Sequence, residues 1–108
     1  MQAIRRKQLE RMIEHHEPFA LIDVLGREEY REFHLPGAIN VPNTEHFAEE
    51  IERAVPDKHL PVVVYCQDVR SDASPKAARK LEALGYDHVY HYEAGKSDWK
   101  QAGLPIEG

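Results

Sequence analysis

The sequence predicts an α/β domain, a parallel sheet with helices on both faces, and three observations carry that prediction. Apolar or β-branched runs at 19–24, 38–41, 60–66 and 88–92 alternate with segments of helical spacing, as strand–helix–strand units do. Two of the runs, Phe19–Val24 and Leu60–Cys66, are apolar nearly throughout rather than at every second position, which fits strands buried on both sides. The breaks between elements fall at Pro and Gly: Pro18, Gly26, Pro36-Gly37, Pro56 and Gly85. With 108 residues the chain has the length of one domain, and residues 1–108 are read as one unit around one core.

Taken in order, residues 4–16 set Ile4, Leu9, Met12 and Ile13 at helical spacing among charges, with room for a very short strand at 2–4 before them. Pro18 closes that helix, and the run Phe19–Val24 is the first buried strand. Arg27–Phe33 is a charged helical turn or two, and Pro36-Gly37 then breaks the chain ahead of a strand at Ala38–Val41. Asn43 or Thr44 is placed to cap a helix with Phe47, Ile51 and Val55 on one face. Leu60-Pro61-Val62-Val63-Val64-Tyr65-Cys66 is too short for a helix and rich in β-branched residues, so it is expected to be the central strand, ending at the cysteine. Ser74-Pro75 is a helix start, Ser as cap and Pro as first helical residue, followed by Ala77, Ala78, Leu81 and Leu84 on the inner face and Gly85 at the end. His88–Tyr92 is the last strand, and Ser97–Ala102 a last short helix with Trp99 facing the core.

Composition excludes several classes of function. A hydrophobic content of 42% against 31% charged residues supplies enough apolar surface for a packed core, which a disordered chain lacks. The net charge is −5 with basic residues interleaved among acidic ones, so no stripe for phosphate backbone or anionic lipid forms, and neither nucleic acid nor membrane is an expected partner. Uninterrupted apolar stretches are a few residues long, far short of a bilayer span. The charged segment Met1–Lys7 leads into Gln, Glu and Arg rather than an apolar signal core, so a cytoplasmic setting is expected. The single cysteine rules out an internal disulfide and disfavours a Cys-based zinc site, and no metal or cofactor is expected.

Ligands of an open parallel sheet bind beyond the carboxyl ends of strands, where loops meet helix N-termini, and Cys66 sits there. The loop Gln67, Asp68, Val69, Arg70, Ser71, Asp72 and Ala73 leads into a helix whose first amides lack intrahelical partners and direct a positive potential back at the loop. Such a setting lowers a cysteine pKa by about one unit or more from about 8.5 and favours a thiolate or an anion carried on sulfur. Arg70 and Lys76 add to it. The bland reading of the same residue is a small buried hydrophobe that finishes a strand.

At this point the order of the motifs resembles the rhodanese family of single-domain sulfurtransferases, along nearly the whole chain. The residues that carry the resemblance are Leu21-Ile22-Asp23-Val24, Glu29-Tyr30, His34-Leu35-Pro36-Gly37-Ala38-Ile39-Asn40-Val41-Pro42, Val62-Val63-Val64-Tyr65-Cys66, Ala77-Ala78-Arg79-Lys80-Leu81, Leu84-Gly85-Tyr86 and the closing Gly95, Trp99, Gly103 and Pro105. The resemblance implies a three-layer α/β/α sandwich on a five-stranded parallel sheet. It also implies that Cys66 is the catalytic nucleophile, taking sulfur from a sulfane donor such as thiosulfate or polysulfide and passing it to cyanide, a thiol or a protein acceptor, with residues 67–73 holding the persulfide.

The departures from the family pattern are specific. Arg70 and Ser71 stand four and five residues after the cysteine, where a common loop has Arg five and Ser six after. The loop is about two residues longer than usual and is similar to a subgroup with a second Cys at the position of Ser71, so a resolving cysteine is absent. Asp68 and Asp72 offset Arg70 and Lys76 and weaken the case for a doubly charged donor. Leu25 replaces an Arg that often follows the Asp-Val pair, with Arg27 near enough to substitute, and Ala94 replaces the first Gly of a closing pair.

Asp23 ends a strand on the same side of the sheet as Cys66, so it is a supporting candidate, although tying loops together through backbone N–H bonds is the favoured reading. The seven histidines lack metal-ligand spacing: His15-His16 lies at an exposed helix end, His34 is read as structural, and His46 and His59 as solvated. Two other functions compete. A non-catalytic recognition module would keep the fold without the chemistry. A phosphatase or arsenate reductase of the same fold needs Arg at 72, where Asp72 stands.

Overall fold

The computed structural model describes residues 1–108. Five parallel strands, β1 (Gln2–Ala3), β2 (Ala20–Asp23), β3 (Ile39–Asn40), β4 (Val62–Tyr65) and β5 (Val89–Tyr92), form one sheet in the order β1-β5-β4-β2-β3. Four helices connect them, α1 (Arg6–Glu14), α2 (Arg27–Glu32), α3 (Phe47–Ala54) and α4 (Ala73–Ala83), and a fifth, α5 (Gly95–Gln101), follows β5. The central strand is β4, all of whose residues are buried, because the run Val62-Val63-Val64-Tyr65 supplies apolar side chains to both faces.

Those alternating side chains separate two cores. Val62, Val64 and Cys66 pack with Phe47 and Ile51 of α3 and Ala77, Ala78 and Leu81 of α4. Val63 and Tyr65 pack on the other face with Leu9, Leu35, Tyr92 and Trp99, from the side of α1 and α5. The result is the three-layer α/β/α sandwich with a five-stranded parallel sheet. α2 lies on the α1/α5 side, where Tyr30 packs against the second core, whereas α4 leaves β4 on the opposite side. The adjacent strands β2 and β4 therefore send their helices to opposite faces, and their carboxyl ends flank a topological switch point.

Several local expectations need correction. Ile4 is not on the face of α1: it extends β1, donating its N–H to His91 O (3.0 Å). Neither Asn43 nor Thr44 caps α3, whose N-cap is His46; Thr44 Oγ1 accepts the His46 N–H one residue too early, and Asn43 Oδ1 is taken by Lys80 Nζ. α4 begins one residue ahead of Ser74, with Asp72 at the N-cap, which turns Ser74 inward instead of leaving it at the cap. α5 begins at Gly95 rather than Ser97, and Trp99 is buried as expected, donating Nε1–H to Pro105 O (2.8 Å).

Candidate active site

Cys66 follows the last residue of β4, and its side chain is fully buried. Its Sγ lies 3.2 Å from Ser74 Oγ, 3.7 Å from Ser71 O and 3.8 Å from Asp68 O. In this closed form the thiol proton thus has three oxygen acceptors, two of them carbonyls whose negative ends face the sulfur. No main-chain N–H of the following helix donates to the sulfur: the Ala73 N–H goes to Ser71 Oγ (3.4 Å), and Pro75 has none. Ser71 closes the turn through that bond and through its own N–H to Asp68 O (3.2 Å).

The loop is stapled by its own charges. The Asp68 carboxylate accepts from both the main-chain N–H (3.0 Å) and the guanidinium (2.9 Å) of Arg70, and Asp72 pairs with Lys76 (2.9 Å) one helical turn on. These partners hold both carboxyls below the usual carboxylate range. Val69, at the tip of the loop, is 64% exposed.

The base of the loop is fixed from the other side. The N–H groups of Lys96 and Ser97 donate to Cys66 O and Gln67 O (both 3.0 Å), and Gln67 Nε2 donates to Ser97 Oγ (2.7 Å). Gly95 makes this approach through a left-handed backbone (φ 75°), and a Cβ there would stand 2.6 Å from Cys66 O and 2.5 Å from Gln67 O. The buried Lys96 reaches away to the end of α2, donating to Glu29 O (2.6 Å) and Phe33 O (2.9 Å). Desolvation by burial pulls its pKa below the ordinary lysine value, against the pull of Asp23.

Of the three supporting candidates, none faces the sulfur. Asp23 pairs in register with Tyr65, and neighbouring positions on a strand point to opposite faces, so its carboxyl lies on the face away from Cys66. There Oδ1 accepts the Leu25 N–H (2.9 Å), tying the β2 end to its loop, while Oδ2 is buried without a hydrogen-bond partner. Arg27 is paired with Glu50 (2.9 Å), and Lys76 with Asp72. Ser74, Gly95 and Lys96 are the neighbours of the cysteine that sequence reasoning missed. Their signal was present in the Ala-Ser-Pro segment and the Gly-Lys-Ser turn, but which side of a helix turn faces the thiol is a tertiary matter. His34 stacks on Tyr30 with ring centroids 3.7 Å apart and donates from Nδ1 to Tyr30 O (2.8 Å), a structural arrangement. No group of three or more His, Cys, Asp or Glu side chains is assembled that would hold a metal, and no helix is long and apolar enough to cross a membrane.

Burial pushes the Asp23 carboxyl above its usual range, with the Leu25 N–H, the nearby Tyr65 hydroxyl and Lys96 opposing. A raised folded pKa means that the stabilisation belongs to the protonated form: it is complete below the unfolded value of 3.8 and is lost as pH climbs through the folded value. Asp23→Asn does not titrate. The difference in thermal stability between Asp23→Asn and wild type is therefore expected to shift in favour of the variant from about pH 4 to about pH 7. Parallel melting curves for the two proteins across that interval would refute the assignment.

Comparison with known proteins agrees with this geometry. The rhodanese-like domain family model matches residues 5–102. The chain is 46% identical over 68 residues to the thiosulfate sulfurtransferase PspE of Escherichia coli, covering 63% of this chain and 62% of the relative. It is 35% identical over 105 residues to the HTH-type transcriptional regulator Rv0324 of Mycobacterium tuberculosis, covering 97% of this chain and 44% of that protein. The chain thus spans less than two thirds of the length of each of these relatives. Among solved structures, the BH2092 protein of Bacillus halodurans superimposes with a TM-score of 0.90 at 26% identity, over 99% of this chain and 77% of that one. With the parallel sheet in the order β1-β5-β4-β2-β3, the cysteine at the end of its central strand and the match over residues 5–102, the chain belongs to the rhodanese-like domain family.

Proposed function

We propose that this domain is a sulfurtransferase in which Cys66 takes one sulfur atom from a sulfane donor and carries it as a persulfide. The observation that supports this best is the seat of the Cys66 sulfur, at the switch point of a parallel sheet, enclosed by a short polar loop and touched by the Ser74 hydroxyl. Because the sulfur is sealed, loop 67–72 opens before a donor reaches it, and the thiol proton leaves to solvent in the same movement. The thiolate then attacks the outer sulfur of thiosulfate or a polysulfide. A Cys66–S bond forms as the donor S–S bond breaks, and the electron pair of the broken bond departs on sulfite or the shortened polysulfide. In the second displacement an acceptor, a small thiol, cyanide or a protein thiol, attacks the outer sulfur and the Cys66 thiolate is released. Covalent storage divides one transfer into two steps, and no cofactor enters either. Rearranged peptide N–H groups of residues 67–73 would hold the persulfide anion as an oxyanion hole holds oxygen. A cytoplasmic setting, rich in reduced thiols, suits a domain whose one cysteine lacks a resolving partner.

The test is incubation with thiosulfate or polysulfide followed by intact mass: an adduct of one sulfur atom is expected, discharged by cyanide. A protein that gains no sulfur from either donor contradicts the proposal. The sealed thiol favours, as the second reading, a non-catalytic recognition module, which that null result would leave standing. Hydrolysis of an aryl phosphate is not expected, because Asp72 occupies the place of the arginine such chemistry needs.

Ser74 supplies a finer test. Its hydroxyl can donate to the thiolate, and one hydrogen bond to a charged acceptor corresponds to about tenfold in rate or more. Ser74→Ala is expected to slow persulfide formation about tenfold. An unchanged rate would remove Ser74 from the site.

A further inference from the structure

We infer that the physiological donor is a singly charged organic persulfide, R–S–S⁻, rather than thiosulfate, and that Asp68 and Asp72 impose this choice by occupying Arg70 and Lys76. The inference rests on the sulfurtransferase reading above and names the donor class of the same site.

Thiosulfate brings two negative charges, so a loop that prefers it over a singly charged donor needs cations free to meet the second. Here both cations of the loop and first helical turn are taken. Arg70 is held by Asp68 at both its guanidinium and its main-chain N–H, and the side chain is 87% exposed, turned out to solvent. Lys76 is held by Asp72. The four charges cancel, and the sulfur itself faces two carbonyl oxygens and a hydroxyl.

The surroundings repeat this pattern. An open groove of about 430 Å³ beside the loop is lined by residues including Asp68, Arg70 and Asp98, and Asp98 is itself engaged by Arg6 (3.0 Å). Asp98 and Arg6 cancel in turn, so the groove adds no unpaired cation for a dianion. The same groove offers Val69 and Ala94, apolar contacts that the R group of an organic persulfide can use and thiosulfate cannot. The transfer balances without a further reagent. The Cys66 thiolate bonds to the outer sulfur of R–S–S⁻, the S–S bond of the donor breaks, and its electron pair leaves on the inner sulfur as R–S⁻.

The experiment compares second-order rates of persulfide formation from thiosulfate and from hydroxyethyl persulfide, whose body is uncharged, read by quenched intact mass at low ionic strength. The wild-type protein is expected to react with the persulfide at least about tenfold faster. Intrinsic reactivity of the donors cancels when the ratio is followed across variants. In Asp68→Asn/Asp72→Asn, which frees Arg70 and Lys76, the thiosulfate-to-persulfide ratio is expected to rise at least about tenfold, and added salt is expected to erase the gain. Adding Arg70→Ala and Lys76→Ala to that variant is expected to return the ratio to the wild-type value. Arg70, Asp72 and Lys76 are exposed and Asp68 is partly exposed, asparagine keeps the shape of each aspartate, and a melting curve of each variant checks folding. Equal use of the two donors by wild type, or a ratio unmoved by the double variant, would overturn the inference while leaving the sulfurtransferase reading intact. Absence of an adduct from both donors in every variant would overturn that reading, and the inference with it.

Discussion

Replacing Cys66 by serine is expected to abolish sulfur loading altogether while leaving the domain folded. The chemistry requires a group that ionises near neutral pH and whose ionised form bonds readily to sulfur. A thiol with an ordinary pKa of about 8.5 meets that condition, and an aliphatic hydroxyl does not. The chain has one cysteine, so no second thiol can take over, and a one-sulfur adduct has a single place to form. The fold should tolerate the change because the serine hydroxyl is smaller than the thiol and has the Ser74 hydroxyl beside it as a hydrogen-bond partner. Shrinking a buried side chain by one sulfur-to-oxygen exchange costs about 1 kcal/mol, small beside the stability of a domain this size. Intact mass after incubation with donor, with a melting curve as the check on folding, reads both halves. A cyanide-labile adduct of one sulfur persisting in a folded Cys66→Ser protein would disprove the assignment.

Gly95→Ala is expected to be the most damaging single substitution outside the cysteine, and it should damage stability and activity together. Two independent penalties meet at this position. A left-handed backbone costs a residue with a Cβ about 1–2 kcal/mol, and the added methyl collides with main-chain atoms of Cys66 and Gln67, for which overpacking costs of about 1–3 kcal/mol are typical. The colliding atoms are backbone carbonyls held by the Lys96 and Ser97 amides, so relief comes only by moving the chain that carries the thiol. Gly103→Ala is the matching control, since Gly103 has the same backbone sign (φ 76°) and no atom within 4 Å of the new methyl. It should cost about 1–2 kcal/mol and leave sulfur loading intact. Thermal unfolding and persulfide formation measured on both variants separate the two penalties. Equal melting temperatures would show that contact with the cysteine loop carries no energy.

The elements themselves were legible because they are written in periodicity and punctuation. A β-branched run such as Val62–Tyr65 cannot hide in a helix, Pro18 and Gly85 end what precedes them, and all ten elements lie within a few residues of their expected places. Element ends were less legible. Ser74 carries the sequence mark of a cap, yet the helix starts ahead of it, and its hydroxyl lies against the Cys66 sulfur instead of at the helix end. Likewise Thr44 bonds the His46 amide in a turn and leaves α3 without a side-chain cap.

What the sequence determined by itself is the strand–helix alternation, the one cysteine at the end of the central strand, and a loop whose charges are balanced in number. The tertiary structure decided which charges meet, that Asp23 points to the face away from Cys66, and that Gly95 and Lys96 clamp the loop from a helix nearly thirty residues further along the chain. The physical reason is range. Helix and strand preferences act between neighbours and can be read from a window of residues, whereas the direction of a side chain at a strand end and the partner of an exposed charge depend on atoms brought together only when the sheet closes.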